Sequence, residues 1–410
     1  MKPKPIETMA GARAARPLRR QFLHHTAALA GGLLLCRSGS VLAAAGAPRL
    51  LLVFLRGGYD CASLLVPRSD FYYESRPNIA IPRDGSAGAA LQLDADWGLH
   101  PALNDSVFPL WHGSQLALVP FSGTPNLSRS HFETQDAIER GDAPDAPPRN
   151  DSGFLGRLVG ELHETTAISF TDQLPLVLRG AAGVPNVALR GLGKPVLEGR
   201  QEGLIAAMYR NTPHYDAVTE GFTARDEAGR DLAVEMEDSG RKAANARGFE
   251  QEARRIARLM RDRHRIGFVD VGGWDTHVEQ GAAKGALASR FEQLGTGLAG
   301  FAEELGPAWS DTVVVVVSEF GRTFRENGNR GTDHGHGSVL WVLGGSIRGG
   351  RICGEQQPVQ RATLFQDRDY PVLNDYRAVL GGLFGRVYGL SREQSQKVFP
   401  GVQPRDVALV

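Results

Sequence analysis

Five continuous apolar runs, each stopped by glycine or polar residues, constrain the fold more than any other feature of the chain. "RLLLVFLRGG" (49–58), "QLALVP" (115–120), "RIGFVDVGG" (265–273), "TVVVVVS" (312–318) and "SVLWVLGG" (338–345) share this form. An apolar run without alternation marks a strand buried on both faces. Helix-like stretches at 131–139, 279–305 and 371–388 fall among them. Strands of this kind alternating with helices predict an α/β fold, a mostly parallel sheet sandwiched between helices. Ligands of such sheets gather at the carboxyl ends of the strands.

The segments that follow the runs are the chemically loaded ones. Arg56, Asp60 and Cys61 follow the first, "SGTPNLSRSHFE" the second, "GGWDTH" the third, and "SEFGRT" with "TDHGHG" the fourth. Asp275 and His277 can reach one point from an extended loop, and Asp333, His334 and His336 offer the same from a second loop whose glycines let backbones approach. Glu319 sits just past the five-valine strand, and Asp60 is a further carboxylate source. Mixed carboxylate and imidazole donors suit zinc, manganese or iron, and calcium less well. Asp270 reads as a buried hydrogen-bond partner. The expected metal ligands are Asp60, Asp275, His277, Glu319, Asp333, His334 and His336; the cofactor is a divalent ion, with zinc, manganese and calcium as candidates.

"SRSHFETQD" (128–136) precedes a helical pattern. Ser130 and Glu133 have capping-box spacing, which explains both structurally. The functional alternative makes Ser128 or Ser130 a nucleophile at a helix N-terminus. Arg129 and Arg322 either clamp a phosphate or sulfate or pair with Glu133 and Glu319. No G-x-G-x-x-G follows the first strand, and no Walker or G-x-S-x-G motif occurs, which excludes dinucleotide, P-loop and ordinary serine-hydrolase readings.

Residues 1–45 differ from the rest. Arg19 and Arg20 begin an Arg-Arg-x-Phe-Leu core, an Ala/Gly/Leu stretch follows, and Ala43 to Ala45 suit a peptidase, as in a twin-arginine export signal. Leu35 before Cys36 argues against a lipid anchor. The expected organisation is a signal peptide over 1–45 and one α/β domain over 46–410, carrying a charged helical insertion at about 200–264. The expected location is periplasmic or secreted, with the twin-arginine export machinery as a partner. Forty-six basic residues balance 46 acidic ones, so no global field draws the chain to nucleic acid. No run reaches the roughly 18 apolar residues of a membrane span. Cys61 and Cys353 read as free and buried, and 68–98 as an excursion with a short hairpin. Oligomeric state is not legible.

Taken in order, the export signal, "FLRGGYD" leading into "LLVP", "GLHPAL", "SRSHFETQD", "DVGGWDTH", "SEFGRT", "GTDHGHG" and "GGSIRGG" resemble the bacterial domain of unknown function 1501 over nearly all of the chain past the signal. That family is similar to the alkaline phosphatase and sulfatase superfamily. The resemblance implies one or two metals at the carboxyl edge of the sheet. It implies Asp60 as the first-strand ligand, Asp275 and His277 as the middle pair, and Glu319 with His334 or His336 as the last ligands; Ser128 or Ser130 falls in the nucleophile's neighbourhood. "SEF" stands where the superfamily has an Asp-His pair, no Cys-x-Pro-x-Arg motif occurs, and "GGYDCAS" departs from the usual "GGxDGLN". The expected function is an exported metal-dependent hydrolase of phosphate or sulfate esters, its substrate a small molecule or a glycan ester. The alternative is a non-catalytic exported binding or envelope protein that keeps the fold.

Overall fold

A computed structural model describes residues 48–143, 146–147, 149–162, 165–188, 199–223 and 248–410. The expected leader and the middle of the charged insertion, 224–247, lie outside them.

The strands are β1 (Arg49–Leu55), β2 (Leu65–Pro67), β3 (Leu91–Gln92), β4 (Trp97–Leu99), β5 (Leu116–Gly123), β6 (Ala167–Ser169), β7 (Ile266–Val271), β8 (Thr312–Ser318), β9 (Ser338–Gly344), β10 (Arg351–Ile352) and β11 (Asn374–Asp375). The main sheet runs β10-β5-β9-β8-β1-β7-β6, with β11 added to the end of β5. β1 lies parallel to β7 and β8. β9 alone runs against its neighbours β5 and β8, so the sheet is mixed but mostly parallel.

Burial on both faces explains the apolar runs. Leu51, Val53 and Leu55 of β1 enter one core, while Leu50, Leu52 and Phe54 enter the other. β8 divides Val314 and Val316 from Val313, Val315 and Val317 in the same way. Every second residue of a strand points to one face, and here each face meets helices.

Four helices matter for the argument: α1 (His131–Arg140), α2 (Phe249–Asp262), α3 (Ala286–Leu305) and α4 (Tyr376–Tyr388). The core on one face takes Ala253, Ile256 and Met260 of α2 with Phe291, Leu298 and Phe301 of α3. α4 contributes Val379, Leu380 and Phe384 to the other. α3 starts later than its apolar pattern, because Gly281 and Gly285 hold positive φ and the chain turns there. α4 also starts late, since Asn374 and Asp375 join the sheet and Asp375 accepts a capping bond from the amide of Arg377 at 2.9 Å. The 68–98 excursion contains a short helix, Asp70–Ser75, and the β3–β4 hairpin that pairs with β2. Cys61 and Cys353 are free and buried. Among the described residues no helix is long and apolar enough to cross a membrane.

The parallel strands bring the ends of β1, β5, β7 and β8 to one edge. β9 starts there too, since Ser338 pairs with Ser122 near the end of β5. All the loaded segments thus converge on one rim.

Candidate metal centre

Three backbone devices build the rim. The amide of Trp274 bonds the carbonyl of Arg56 at 3.3 Å, tying the loop after β7 to the end of β1. Gly57, at φ +121°, lies so close to this loop that a Cβ would come 2.6 Å from the amide of Asp275. The long loop from β8 to β9 closes on itself: Gly321 N bonds His336 O at 3.0 Å, Gly335 N bonds Gly321 O at 2.8 Å, and Thr323 N bonds Asp333 O at 2.9 Å. This ladder sets His334 opposite Arg322. A Cβ on Gly335 would lie 2.4 Å from the carbonyl carbon of Arg322, so this glycine of "TDHGHG" is what lets the two strands of the loop touch.

On this frame, His131, Asp275 and His334 each bring one donor atom within 4.8 Å of the others. His131 Nε2 is 2.9 Å from His334 Nε2, and Asp275 Oδ1 is 3.2 Å from His334 Nε2. His277 joins beside them, its Nε2 at 2.9 Å from Asp275 Oδ1 and 3.1 Å from His334 Nε2.

The other nitrogen of each ring decides what these Nε2 atoms are. His131 Nδ1 faces Glu319 Oε1 at 2.8 Å, His277 Nδ1 faces Asp333 Oδ1 at 3.2 Å, and His334 Nδ1 faces the carbonyl of Arg129 at 2.9 Å. Carboxylates and carbonyls only accept, so each Nδ1 donates and each neutral ring turns a lone pair at Nε2 toward the cluster. With the rings neutral, the lone pairs of His131 and His334 and the Asp275 carboxylate converge on a point that a cation can fill, with His277 beside it. Backing of imidazole by an acceptor is the usual arrangement around metal-binding histidines. In a tetrahedral zinc site with Zn–N bonds near 2.0–2.1 Å, ligand nitrogens stand roughly 3.3 Å apart; the contacts of His334 with His131, His277 and Asp275, at 2.9, 3.1 and 3.2 Å, lie within a few tenths of an ångström of that. The donor set therefore fits a borderline divalent ion such as zinc better than calcium, which takes oxygen.

Glu319 lies behind the cluster. Its buried carboxylate accepts from His131 and, at 2.8 Å each, from the amide of Gly57, Gln135 Nε2 and Ser318 Oγ. Burial would raise its pKa, yet the bonds from His131, Gln135 and Gly57 outweigh burial and hold it below the usual value. The bond to Glu319 in turn raises the pKa of His131. Burial lowers that of His334. The front is open: the side chains of Asp275 and His277 are 43% and 38% exposed, against 0% for Glu319.

Other expected residues stand elsewhere. Asp60 is sealed in an ion pair with Arg76, whose Nη1 and Nη2 reach its two oxygens at 2.5 and 2.9 Å, and it also accepts from Ser63 and Gln280 at 2.7 Å. Both its oxygens are bonded, and it lies outside the histidine cluster. His336 packs on Phe365 with ring centres 5.0 Å apart, and burial brings its pKa down to about 4; it makes no described bond to the cluster. Asp333 acts on His277 from outside, with Asn327 Nδ2 at 3.0 Å on the same oxygen.

Arg322 is buried and committed. Its guanidinium bonds the carbonyls of Gly57, Gly58, Trp274 and Thr332 and pairs with Asp275. Arg129 reaches Asp369 at 2.7 Å and Gln366 at 3.0 Å. Neither pairs with Glu133 or Glu319 in the described contacts. Ser128, not Ser130, bonds Glu133, and its hydroxyl also accepts from the amide of Ser130 at 3.2 Å. Ser130 stands at the N-cap of α1 without a side-chain capping bond. Asp270, read as buried, pairs with Arg56 from an exposed position at 3.1 Å. Burial pushes the Cys61 thiol up to about 12, so it stays protonated.

His131 was absent from the expected ligands. Its signal was present: a histidine at the start of a helix, directly after a strand-end loop. The two serines just before it, Ser128 and Ser130, drew the chemistry to themselves.

Fold and cluster together define an α/β protein with a histidine-rich candidate metal cradle at the carboxyl edge of its sheet. The chain belongs to the family described as "Protein of unknown function (DUF1501)", which matches residues 47–400. No curated protein matches it. Solved structures with partial likeness include Ps i-CgsB in complex with k-i-k-neocarrahexaose, at 11% identity over 88% of this chain and 76% of that one, TM-score 0.41. A protein in the alkaline phosphatase superfamily from Vibrio parahaemolyticus shows 14% identity over 75% and 62%, TM-score 0.36. The lipoteichoic acid synthase LtaP from Listeria monocytogenes shows 10% over 89% and 76%, TM-score 0.37. Likenesses this distant carry no argument about the site, which rests on its own geometry.

Proposed function

We propose that this protein is a metal-dependent hydrolase of phosphate or sulfate esters, working at His131, Asp275, His277 and His334. The observation that carries the reading is the tautomer pattern: Glu319, Asp333 and the Arg129 carbonyl each fix an Nδ1 proton, which turns three Nε2 lone pairs onto one carboxylate. Zinc is the proposed ion, with manganese or iron as alternates. A divalent ion held there supplies Lewis acidity to an ester oxygen and makes water a stronger nucleophile at neutral pH.

The chain's own residues do the rest. Glu319 and Asp333 hold two rings in orientation and raise their basicity. Arg322 anchors Asp275 through one oxygen. The exposed faces of Asp275 and His277 admit the ester from solvent. We assign the attack to water, since the Ser128 hydroxyl is committed to Glu133. We also propose that the chain is exported to the bacterial envelope, on the strength of the Arg19-Arg20 leader.

A second reading, a non-catalytic exported binding protein that keeps a structural metal, draws on one observation: the buried guanidinium of Arg322 spends its nitrogens on backbone carbonyls and Asp275, so it is not free to stabilise the equatorial oxygens of a transferring group. The test is metal content by mass spectrometry of protein exported through its own leader, beside an Asp275→Ala/His334→Ala double variant, followed by turnover of p-nitrophenyl phosphate and sulfate. Stoichiometric metal lost in the variant, with turnover lost alongside it, supports the hydrolase. Metal without turnover of either ester favours the binding protein, and no stoichiometric metal in the wild type overturns both readings.

A further inference from the structure

A cleft of about 560 Å³ opens between the turn after β2, the turn before β4 and the loop 356–360. This lies within the roughly 300–1,000 Å³ of small-molecule sites, and its lining shares no residue with the histidine cluster. Its chemistry is also of another kind.

The apolar side of the lining is made by half-buried Phe71 with Pro358 and Val359, over Trp97 in the core beneath. Two glutamines above are held by one end of their amides. Gln356 accepts from Trp97 Nε1 through Oε1 at 3.1 Å, which orients its NH₂ group as a donor. Gln357 donates through Nε2 to the carbonyl of Thr363 at 2.8 Å, which leaves its Oε1 as an acceptor. A fixed donor beside a fixed acceptor is the complement of neighbouring hydroxyls, each of which donates and accepts. Half-satisfied amides of this sort are already ordered, so binding costs little side-chain entropy.

Charge narrows the ligand further. Arg68, the cation of the lining, is paired with Asp84 and bonds the carbonyl of Asp94. Asp96 presents a carboxylate at the exposed rim, where it repels phosphate or sulfate and accepts readily from a hydroxyl. An anionic group is therefore disfavoured in the cleft. A neutral ring with hydroxyls on its edge and C–H groups on its face matches both the amides and the apolar wall.

We propose that this cleft is a binding site for a neutral sugar unit of a glycan, with Gln356, Gln357 and Asp96 reading its hydroxyls and Phe71 and Pro358 meeting its apolar face. The site is independent of the hydrolase reading. It shares a wall with the cluster's loop, for Phe71 stacks on Phe324 with centres 5.1 Å apart and planes at 11°, and Phe324 follows Arg322 by two residues. A glycan unit seated in the cleft would thereby touch Phe71, which packs on the segment between β8 and β9.

The test is isothermal titration of the full chain, treated with chelator so that the metal cradle cannot contribute, against maltohexaose, cellohexaose, agarohexaose and chitohexaose. Saturable binding of at least one is expected, weakened about tenfold, or roughly 1.4 kcal/mol, by Gln357→Ala and by Phe71→Ala. Gln357 is a surface-loop residue, so its variant keeps the fold even if Phe71→Ala loosens its packing on Phe324, and circular dichroism checks both. No saturable binding of any of the four overturns the proposal; so does binding that Gln357→Ala leaves unchanged in a folded protein. Because the metal is removed, failure here leaves the hydrolase reading standing, and failure of metal uptake leaves this one.

Discussion

His131 and His334 meet at 2.9 Å through their Nε2 atoms, while their Nδ1 atoms are turned to Glu319 and to the carbonyl of Arg129. Two rings so held cannot both be satisfied by a tautomer change, since neither acceptor can donate back. The acceptors behind the rings therefore govern how well the cluster takes a cation. Glu319→Gln and Asp333→Asn should each lower zinc affinity about 10- to 100-fold, whereas His334→Ala should remove stoichiometric binding. Competition against a chromophoric chelator measures all three, and equal affinity in wild type and Glu319→Gln would sink the orienting role.

The attacking group separates by mutation. With water as nucleophile, Ser130→Ala should leave kcat on p-nitrophenyl esters within about twofold of wild type, since only interactions made in the transition state move it. A fall of about 100-fold or more with metal retained would return the attack to the serine.

Arg322 spans four backbone carbonyls of the rim as well as Asp275. A lysine has one ammonium where the guanidinium has a fork, so Arg322→Lys leaves buried carbonyls unpaired at about 1–3 kcal/mol each. Urea unfolding should show a loss of at least about 2 kcal/mol, together with weaker metal binding because Asp275 loses its anchor. An unchanged midpoint would contradict the account.

Gly335 admits no side chain. In Gly335→Ala the methyl meets the backbone of Arg322, and overpacking of this kind costs about 1–3 kcal/mol. The damage falls on the loop ladder, so zinc stoichiometry should drop in a protein that still folds cooperatively. A variant that binds zinc like wild type would mean that the two strands can part freely.

Asp60 and Arg76 set an acid limit on stability. Burial alone would raise the Asp60 pKa, but the charge of Arg76 and its hydrogen bonds outweigh that and depress it. A depressed carboxylate contributes stability that is complete above its unfolded pKa of about 3.9 and is lost as pH falls toward the folded value. Urea midpoints of wild type should thus fall steeply below about pH 4, and the Asp60→Asn/Arg76→Met double variant should show a flatter slope there. Arg76→Met alone strands a buried carboxylate and should cost about 3–5 kcal/mol at neutral pH.

The five apolar runs were legible as strands because burial on both faces removes alternation, and their ends named the rim. The reversed direction of β9 was not legible, since a strand buried on both faces reads the same either way. His277 and His334 announced themselves by their neighbours, whereas His131 was hidden behind the serines that precede it. Asp60 misled for a physical reason: a carboxylate at a strand end looks alike whether it faces solvent or a buried arginine, and Arg76 lies 16 residues away, beyond any local pattern.

The reversal of β9 has a consequence for how such a site changes over time. Since β8 ends and β9 begins on the same rim, residues 319–337 leave the sheet and return beside their point of departure, supplying Glu319, Arg322, Asp333 and His334. A parallel crossover would have tied that stretch to a helix on the opposite side. As a closed excursion, it can lengthen, shorten or exchange its donors as a cassette while the strands keep their order.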